Sequence, residues 1–544
     1  MKYLSLIIAV LFFTLKINGQ DTSHTAVISY DASKTSISLD KQGILHINLT
    51  PSDTSSLLNK STLNYEDFGA VGNGKSDDII AIAATHAFAN AHNKQVKTKD
   101  SATYYISGKS HTVIIKTNTN FGKAAFIIDD TQVENRKTPV FLVSSKFEPI
   151  QIKSVSSLKK NQSKLDITLS QPSMITVVNS KVKNYIRKGI NYVDKGASQT
   201  DVFVVNAKGH VDTSTPIIWD FNQITSAIAQ PIDEDTLYIK GGRFTTIANS
   251  DLPRFNYYGR NLVVKRSNVT IDGLQHLVVS EGNQGAPYSG FIHIRSCAFV
   301  TVKNTLLTGH KTYKNGKNPI GTYDITVNRA LNVSFINCSQ TNDINNRSYW
   351  GIMASSYCKN IVLDNCTLSR FDAHKGVTNA TLKNCNIGHM GLRIIGSGTF
   401  KVENTTVYSH HFISLREDYG STWNGQIIIK DCVFKPLKKD LKQLELIAGT
   451  NTGQHNFGYP CFMPETIVIN NLYIDDSQLT PTYRGPFIFK NFNYQYKSEV
   501  YKETYPYTKT KQVFLNEINI ASKNTLKLSP NLFMFKGVAV IQNN

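Results

Sequence analysis

The sequence predicts an all-β chain wound as a solenoid, a stack of short strands in successive coils. Two observations carry that prediction: a recurring strand motif and its spacing. The motif is an alternating apolar segment ending in Asn or Asp followed by Cys or Thr. It occurs at Val300–Thr305, Val333–Cys338, Ile361–Cys366, Ala380–Cys385, Phe400–Thr405 and Ile427–Cys432, with an earlier copy at Val269–Gly273. From Asn304 to Asp431 the steps are 33, 28, 19, 20 and 27 residues. Periods of that size, built on period-2 segments, indicate a β-solenoid and exclude helical repeats. No coil buries its apolar face alone, so stacking must supply the core. The length of 544 residues exceeds one ordinary compact core and suits such an array.

The recurring residues are expected to stack as ladders inside the solenoid. Asn side chains in a column satisfy one another and the turn backbone. Cys338, Cys366, Cys385 and Cys432 read as small, buried, unpaired residues beside them, with disulfides as the alternative for an exported protein.

Composition restricts function. Hydrophobic residues make up 40 % and charged residues 18 %, a globular profile and not a disordered one. Lys and Arg exceed Asp and Glu by 59 − 40 = +19, which points to a polyanionic partner. Residues 1–20 read as a secretory signal peptide: Lys2, an apolar run over Leu4–Leu15, and a polar, small-residue end at Ile17–Gly19. The run is too short to span a bilayer and no Cys follows it to take a lipid anchor, so a secreted or periplasmic protein with no membrane span is expected. Export excludes a nucleic-acid regulator and favours an acidic polysaccharide.

Residues 21–62 are Ser/Thr-rich and read as an N-terminal strand region or linker. A β-helix domain is expected over 63–544, with irregular early coils and insertions at about 100–260 and aromatic-rich coils over 457–544. Those late aromatics could pack on the solenoid or stack on sugar rings.

Tyr65–Ile79 reads YEDFGAVGNGKSDDI. It resembles the N-terminal signature of the pectate-lyase-like superfamily. That resemblance implies a right-handed parallel β-helix with an N-terminal capping α-helix, the scaffold of polysaccharide lyases, polygalacturonase-type hydrolases and phage tailspikes. The segment makes local sense. Gly72–Gly74 is a turn, Asp77 or Asp78 can cap a helix, and the Ala-rich run Ile79–Asn90 would cover the open end of the solenoid. The resemblance is also to exported lyases of glycan-foraging bacteria.

Function on such a scaffold sits on outward side chains and turns. Counting five to seven residues past each ladder Asn reaches His310, Asp343, Arg370 with Asp372, His389 and His410. Strand alternation turns Arg393, Ser414 and Arg416 outward. His374, Lys375, His411, Asp418, Tyr419, Trp350 and Trp423 lie close in sequence.

β-Elimination on a uronic-acid polymer needs a cation on the carboxylate, a base and an acid. Lys375 or His374 is expected as base, with His389, His410 and Tyr419 as acid or second base. Arg370, Arg393, Arg416, His411, Trp350 and Trp423 are expected to bind substrate, with glycosaminoglycans such as hyaluronan or chondroitin sulfate ranked first. Hydrolysis through Asp343, Asp372 and Asp418 is the alternative, and a non-catalytic, tailspike-like polysaccharide-binding protein is another. No cofactor is expected. Calcium, which the resemblance leaves open, needs about six to eight oxygen ligands, and this groove is mostly basic.

Overall fold

The structure is a computed structural model and describes residues 26–187, 195–315, 318–350, 353–451 and 455–543. The proposed signal peptide lies outside them. The chain forms a right-handed parallel β-helix. Each coil visits three parallel sheets in turn, and a stacked register holds in each. In the first sheet Ile271, Val302, Phe335, Leu363, Leu382, Val402, Ile429, Ile469 and Leu515 are consecutive partners. All nine are buried. The third sheet runs Phe371, Leu392, Ile413, Ile447 and Phe489 in the same way. These inward ladders are the core, and the residues between them face out.

The recurring Asn mark the corner where each coil leaves the first sheet for the second, whose strands include Leu306–Leu307, Ser339–Gln340 and Thr406–Val407. Asn304, Asn337, Asn365, Asn384, Asn404, Asp431 and Asn471 all have φ between 43° and 54° or at 57°, the left-handed region. Asn and Asp enter it more readily than other non-glycine residues. The ladder therefore lies on the exposed corner, not inside the solenoid as expected. Asn337 Nδ2 donates to Asn304 Oδ1 at 2.8 Å and Asn404 Nδ2 to Asn384 Oδ1 at 2.8 Å, whereas Asn384 turns to Asp364 at 3.0 Å. The next residue returns inward. Cys338, Cys366, Cys385 and Cys432 are buried and unpaired, and each thiol reaches a backbone carbonyl.

The amino-terminal end is closed by two helices. Strands Ala26–Ser29, Ser36–Leu39 and Leu45–Asn48 form a small sheet, followed by α1 (Pro51–Asn59). The helix α2 spans Ile79–His92, and its Ile79, Ile82 and Phe88 join the solenoid core. Asp78 stands at its N-cap position, but the carboxylate is turned away from the helix to accept from the Val71 and Gly72 amides. Asp77 accepts from Ile79 N instead, at 3.4 Å.

The stretch 100–260 carries more than coil strands. Coil strands occupy its two ends, but Ile150–Gln151, Ser173–Asn184, Ala197–Val205 and Ser226–Pro231 form a four-stranded antiparallel sheet inserted between coils. It has its own core around Ile175, Phe203 and Phe221. It docks on the solenoid through Met174, Val202 and Val204 against Ala298 and Leu331, and through a buried Lys359–Asp201 pair at 2.8 Å. Among the described residues no helix is long and apolar enough to cross a membrane.

The corner conformation gives a test. Asn337→Gly should keep the thermal melting midpoint near wild type, losing only two exposed ladder bonds, to Asn304 and from Asn365. Asn337→Val should destabilise by about 1–2 kcal/mol, the cost of a left-handed backbone on a side-chained residue. Equal midpoints would show that the corner imposes no such requirement.

Candidate active site

The outer face of the third sheet carries the site. Asp372, Arg393, Ser414 and Ala448 are successive partners on it. A cleft of about 450 Å³ opens here, lined by Arg187, His389, Arg393, His410, His411, Arg416 and Asp418 among others.

Two elements wall the cleft. One is the turn Thr341–Trp350. His389 N donates to the Ile344 carbonyl at 3.0 Å, and its ring Nε2 lies 3.1 Å from the Tyr349 carbonyl. A Cβ at Gly388 would stand 2.0 Å from the Ile344 oxygen, so only glycine admits this approach. The other is the inserted sheet, which sends Tyr185 and Arg187 across from far away in sequence. A Cβ at Gly376, where φ is +56°, would meet the Tyr185 hydroxyl at 2.2 Å.

Between them lies a chain of charges. Asp372 is fully buried and accepts from Arg370 and from Arg416 Nη1 at 2.9 Å. Arg416 also grips Asp418 at 2.8 Å, and Arg187 binds the same carboxylate at 2.9 Å. Burial pushes the Asp418 carboxyl up, but Arg416 and then Arg187 outweigh it and hold it below the ordinary range. Tyr419 is buried beside them, with Arg187, Arg416 and Lys375 at 4.9, 5.6 and 5.7 Å from its ring centroid. Burial pushes its hydroxyl up.

The expected residues divide accordingly. His389, Arg393, His410, His411 and Arg416 converge on the cleft. Lys375, His374 and Tyr419 lie one layer behind Arg416 and Asp418. Burial, then Arg187 and Arg416, lowers the Lys375 ammonium, while burial, then Arg416 and Lys375, pushes His374 well down. Arg370 is buried against Asp372 with its guanidinium over the Trp350 ring at 5.6 Å, so both serve the wall. Trp423 is a correction. It points into the solenoid, fully buried, and its indole donates to the Gly398 and Gln426 carbonyls. Asp343 is exposed and accepts from Asn345 N within its own turn. His310 is buried on Tyr288, its Nδ1 3.2 Å from Glu281, and belongs to a different interior network. Sequence reasoning missed Arg187 and Tyr185, for which no local signal exists.

The cleft residues have defined states. His389 gives its Nε2 hydrogen to the Tyr349 carbonyl, so the lone pair stands on Nδ1. Burial, with Arg347 and Arg370, holds that imidazole below its usual value, neutral at pH 7. His410 Nε2 accepts from Arg347 at 3.0 Å, and burial lowers it as well. His411 Nδ1 lies 3.1 Å from the buried Glu445. Arg393 is exposed and has no carboxylate partner among the described residues. The cleft thus offers a free cation, a neutral base and a second imidazole. The donor set does not fit calcium: Asp372 and Asp418 are committed to guanidinium groups, and Glu417 on the same cleft, 3.7 Å from Lys490, is too few oxygens alone.

No protein-family model matches the chain, and no curated protein matches it. Among solved structures it is similar to the tailspike gp61 of Pseudomonas phage phi297, with a TM-score of 0.54 and 11 % identity over 89 % of this chain and 84 % of that one. It is also similar to the Gp54 tailspike of Acinetobacter baumannii bacteriophage AP22, solved in complex with A. baumannii capsular saccharide, with a TM-score of 0.53 and 11 % identity over 94 % and 82 % of the two chains. At that identity the likeness shows the parallel β-helix.

The charge chain should be structural. Asp372→Ala leaves the buried Arg370 guanidinium without a carboxylate and Arg416 with Asp418 alone, and should cost about 3–5 kcal/mol in unfolding experiments. Arg393→Ala, at an exposed position, should change stability by no more than about 0.5 kcal/mol. Equal losses would mean that Asp372 does not hold the wall together.

Proposed function

We propose that the chain is an exported polysaccharide lyase that cleaves a uronic-acid polymer by β-elimination in this cleft. The observation that carries the proposal is the pairing of Arg393, a cation with no carboxylate partner, with His389, a neutral base of fixed tautomer. Arg393 receives the uronate carboxylate in a bidentate contact, which makes the neighbouring C–H more acidic. His389 Nδ1 removes that proton. His411, as the imidazolium whose Nδ1 faces Glu445, gives its Nε2 proton to the leaving glycosidic oxygen as the C–O bond breaks and the C=C bond forms. The base is therefore placed on His389 in preference to Lys375 or His374, which stand behind the cleft wall.

The overall charge of +19 favours a strongly anionic chain. Glycosaminoglycans such as hyaluronan or chondroitin sulfate rank first. The capsular saccharide bound to the AP22 tailspike supports a polysaccharide on this scaffold. Hydrolysis is disfavoured, since it needs one carboxyl held protonated and another free. Asp372 and Asp418 are both tied to arginines, Asp343 turns into its own loop, and Glu417, which also lines the cleft, faces Lys490 and has no second carboxyl free opposite it among the described residues.

A panel of hyaluronan, chondroitin sulfate, alginate and pectate, followed by the ultraviolet absorbance of the unsaturated uronate, tests this. His389→Ala and Arg393→Ala should each lower kcat/KM about 10²-fold or more on the best substrate. A base is active when unprotonated, so its lowered value puts the acid limb of kcat/KM below the ordinary histidine value of about 6.5. Arg347→Gln removes one lowering cause and should move that limb upward. Near-normal rates in both Ala variants would place the chemistry elsewhere.

A further inference from the structure

The third sheet carries a second depression. It measures about 380 Å³ and is lined in part by the outward residues Val263 and His293. His293 pairs with Thr326 and Thr326 with Ala354. The register continues through Ser355 and Ala373 to the strand whose Asp372 pairs with Arg393. The two depressions therefore share one face, four coils apart, or ~19 Å at the usual strand spacing.

Its chemistry is that of a site for an acidic sugar. The lining includes Arg136, Lys137 and Arg295 and no Asp or Glu. Arg136 Nε is buried without a hydrogen-bond partner, as are the side-chain oxygens of Asn256 and Asn261. Asn261 is only 3 % exposed. Unsatisfied buried polar atoms are costly, and these three belong to residues that line the depression, which marks its wall as polar as well as cationic. Phe255, 64 % exposed, adds a flat apolar face of the kind a sugar's C–H edge covers. Burial, then Arg295 and Lys265, brings His293 down to about 4, so it stands as a neutral hydrogen-bonding group.

We infer that this depression is a distal subsite for an acidic sugar residue of the same polymer that occupies the cleft at Arg393. The inference rests on the reading of the chain as an acidic-polysaccharide enzyme, and adds that the polymer lies along the third sheet across about four coils. A long chain is then held at two points, and its affinity exceeds that of either point alone.

Calorimetric titration of the full-length protein with long-chain chondroitin sulfate at low salt tests it. Phe255→Ala, which removes no charge, should weaken binding about tenfold or more. The pair Arg136→Ala/Lys137→Ala should do at least as much. Lys159→Ala/Lys160→Ala, equal in charge but in the turn between two strands of the inserted sheet, should bind like wild type. If Phe255→Ala binds like wild type, or the two double variants weaken equally, the subsite is overturned. No binding by the wild type overturns it too. The readout is binding, so weakened variants support the subsite even if no polymer is cleaved, and cleavage with unchanged affinity sinks the subsite while leaving the elimination standing.

Discussion

The left-handed corner at Asn304, Asn337, Asn365 and their successors is the constraint on which the rest of the molecule depends. It turns the chain at the same point in each coil, and the inward ladders and outward rows follow from it. A slip of one residue would send every inward side chain to the outside. Because the register is kept, Asp372, Arg393 and Ser414 stand in one row though separated by about twenty residues each in sequence. The solenoid thus makes neighbours of groups that share only their position within a coil.

Much of this was legible in the sequence. The Asn–Cys pairs gave away the coil, and the YEDFGAVGNGKSDDI segment gave away the capping helix. The row of His and Arg was legible as an address, and His389, Arg393, His410 and Arg416 do meet in one cleft. Trp423 was misplaced because its side-chain type suggested a sugar platform. Its even spacing from the inward Ile427 and Ile429 already put it inside. Arg370 faces outward and yet is buried, since the Thr341–Trp350 turn covers it. Alternation reports the face of a sheet and not what lies over that face.

The antiparallel pairing of the inserted sheet was illegible for a different reason. Its strands alternate as coil strands do, and period 2 does not distinguish antiparallel pairing from parallel. Its contribution to the cleft, the contact of Arg187 with Asp418, joins residues more than two hundred positions apart. Such a contact is set by tertiary docking at Met174 and Val202, and local sequence carries no trace of it. The same docking places Tyr185 against Gly376 and so helps to fix the layer behind the cleft.

The arrangement separates two electrostatic tasks. Arg370, Arg416 and Arg187 are bound by carboxylates and build a rigid wall, while Arg393 keeps its charge for a ligand. The most direct test of that account is the mass of the products formed from a uronate polymer. Elimination predicts fragments bearing an unsaturated uronate at the new non-reducing end, one water lighter than the products of hydrolysis. Hydrated ends, or tight binding with no shortened chains, would contradict it.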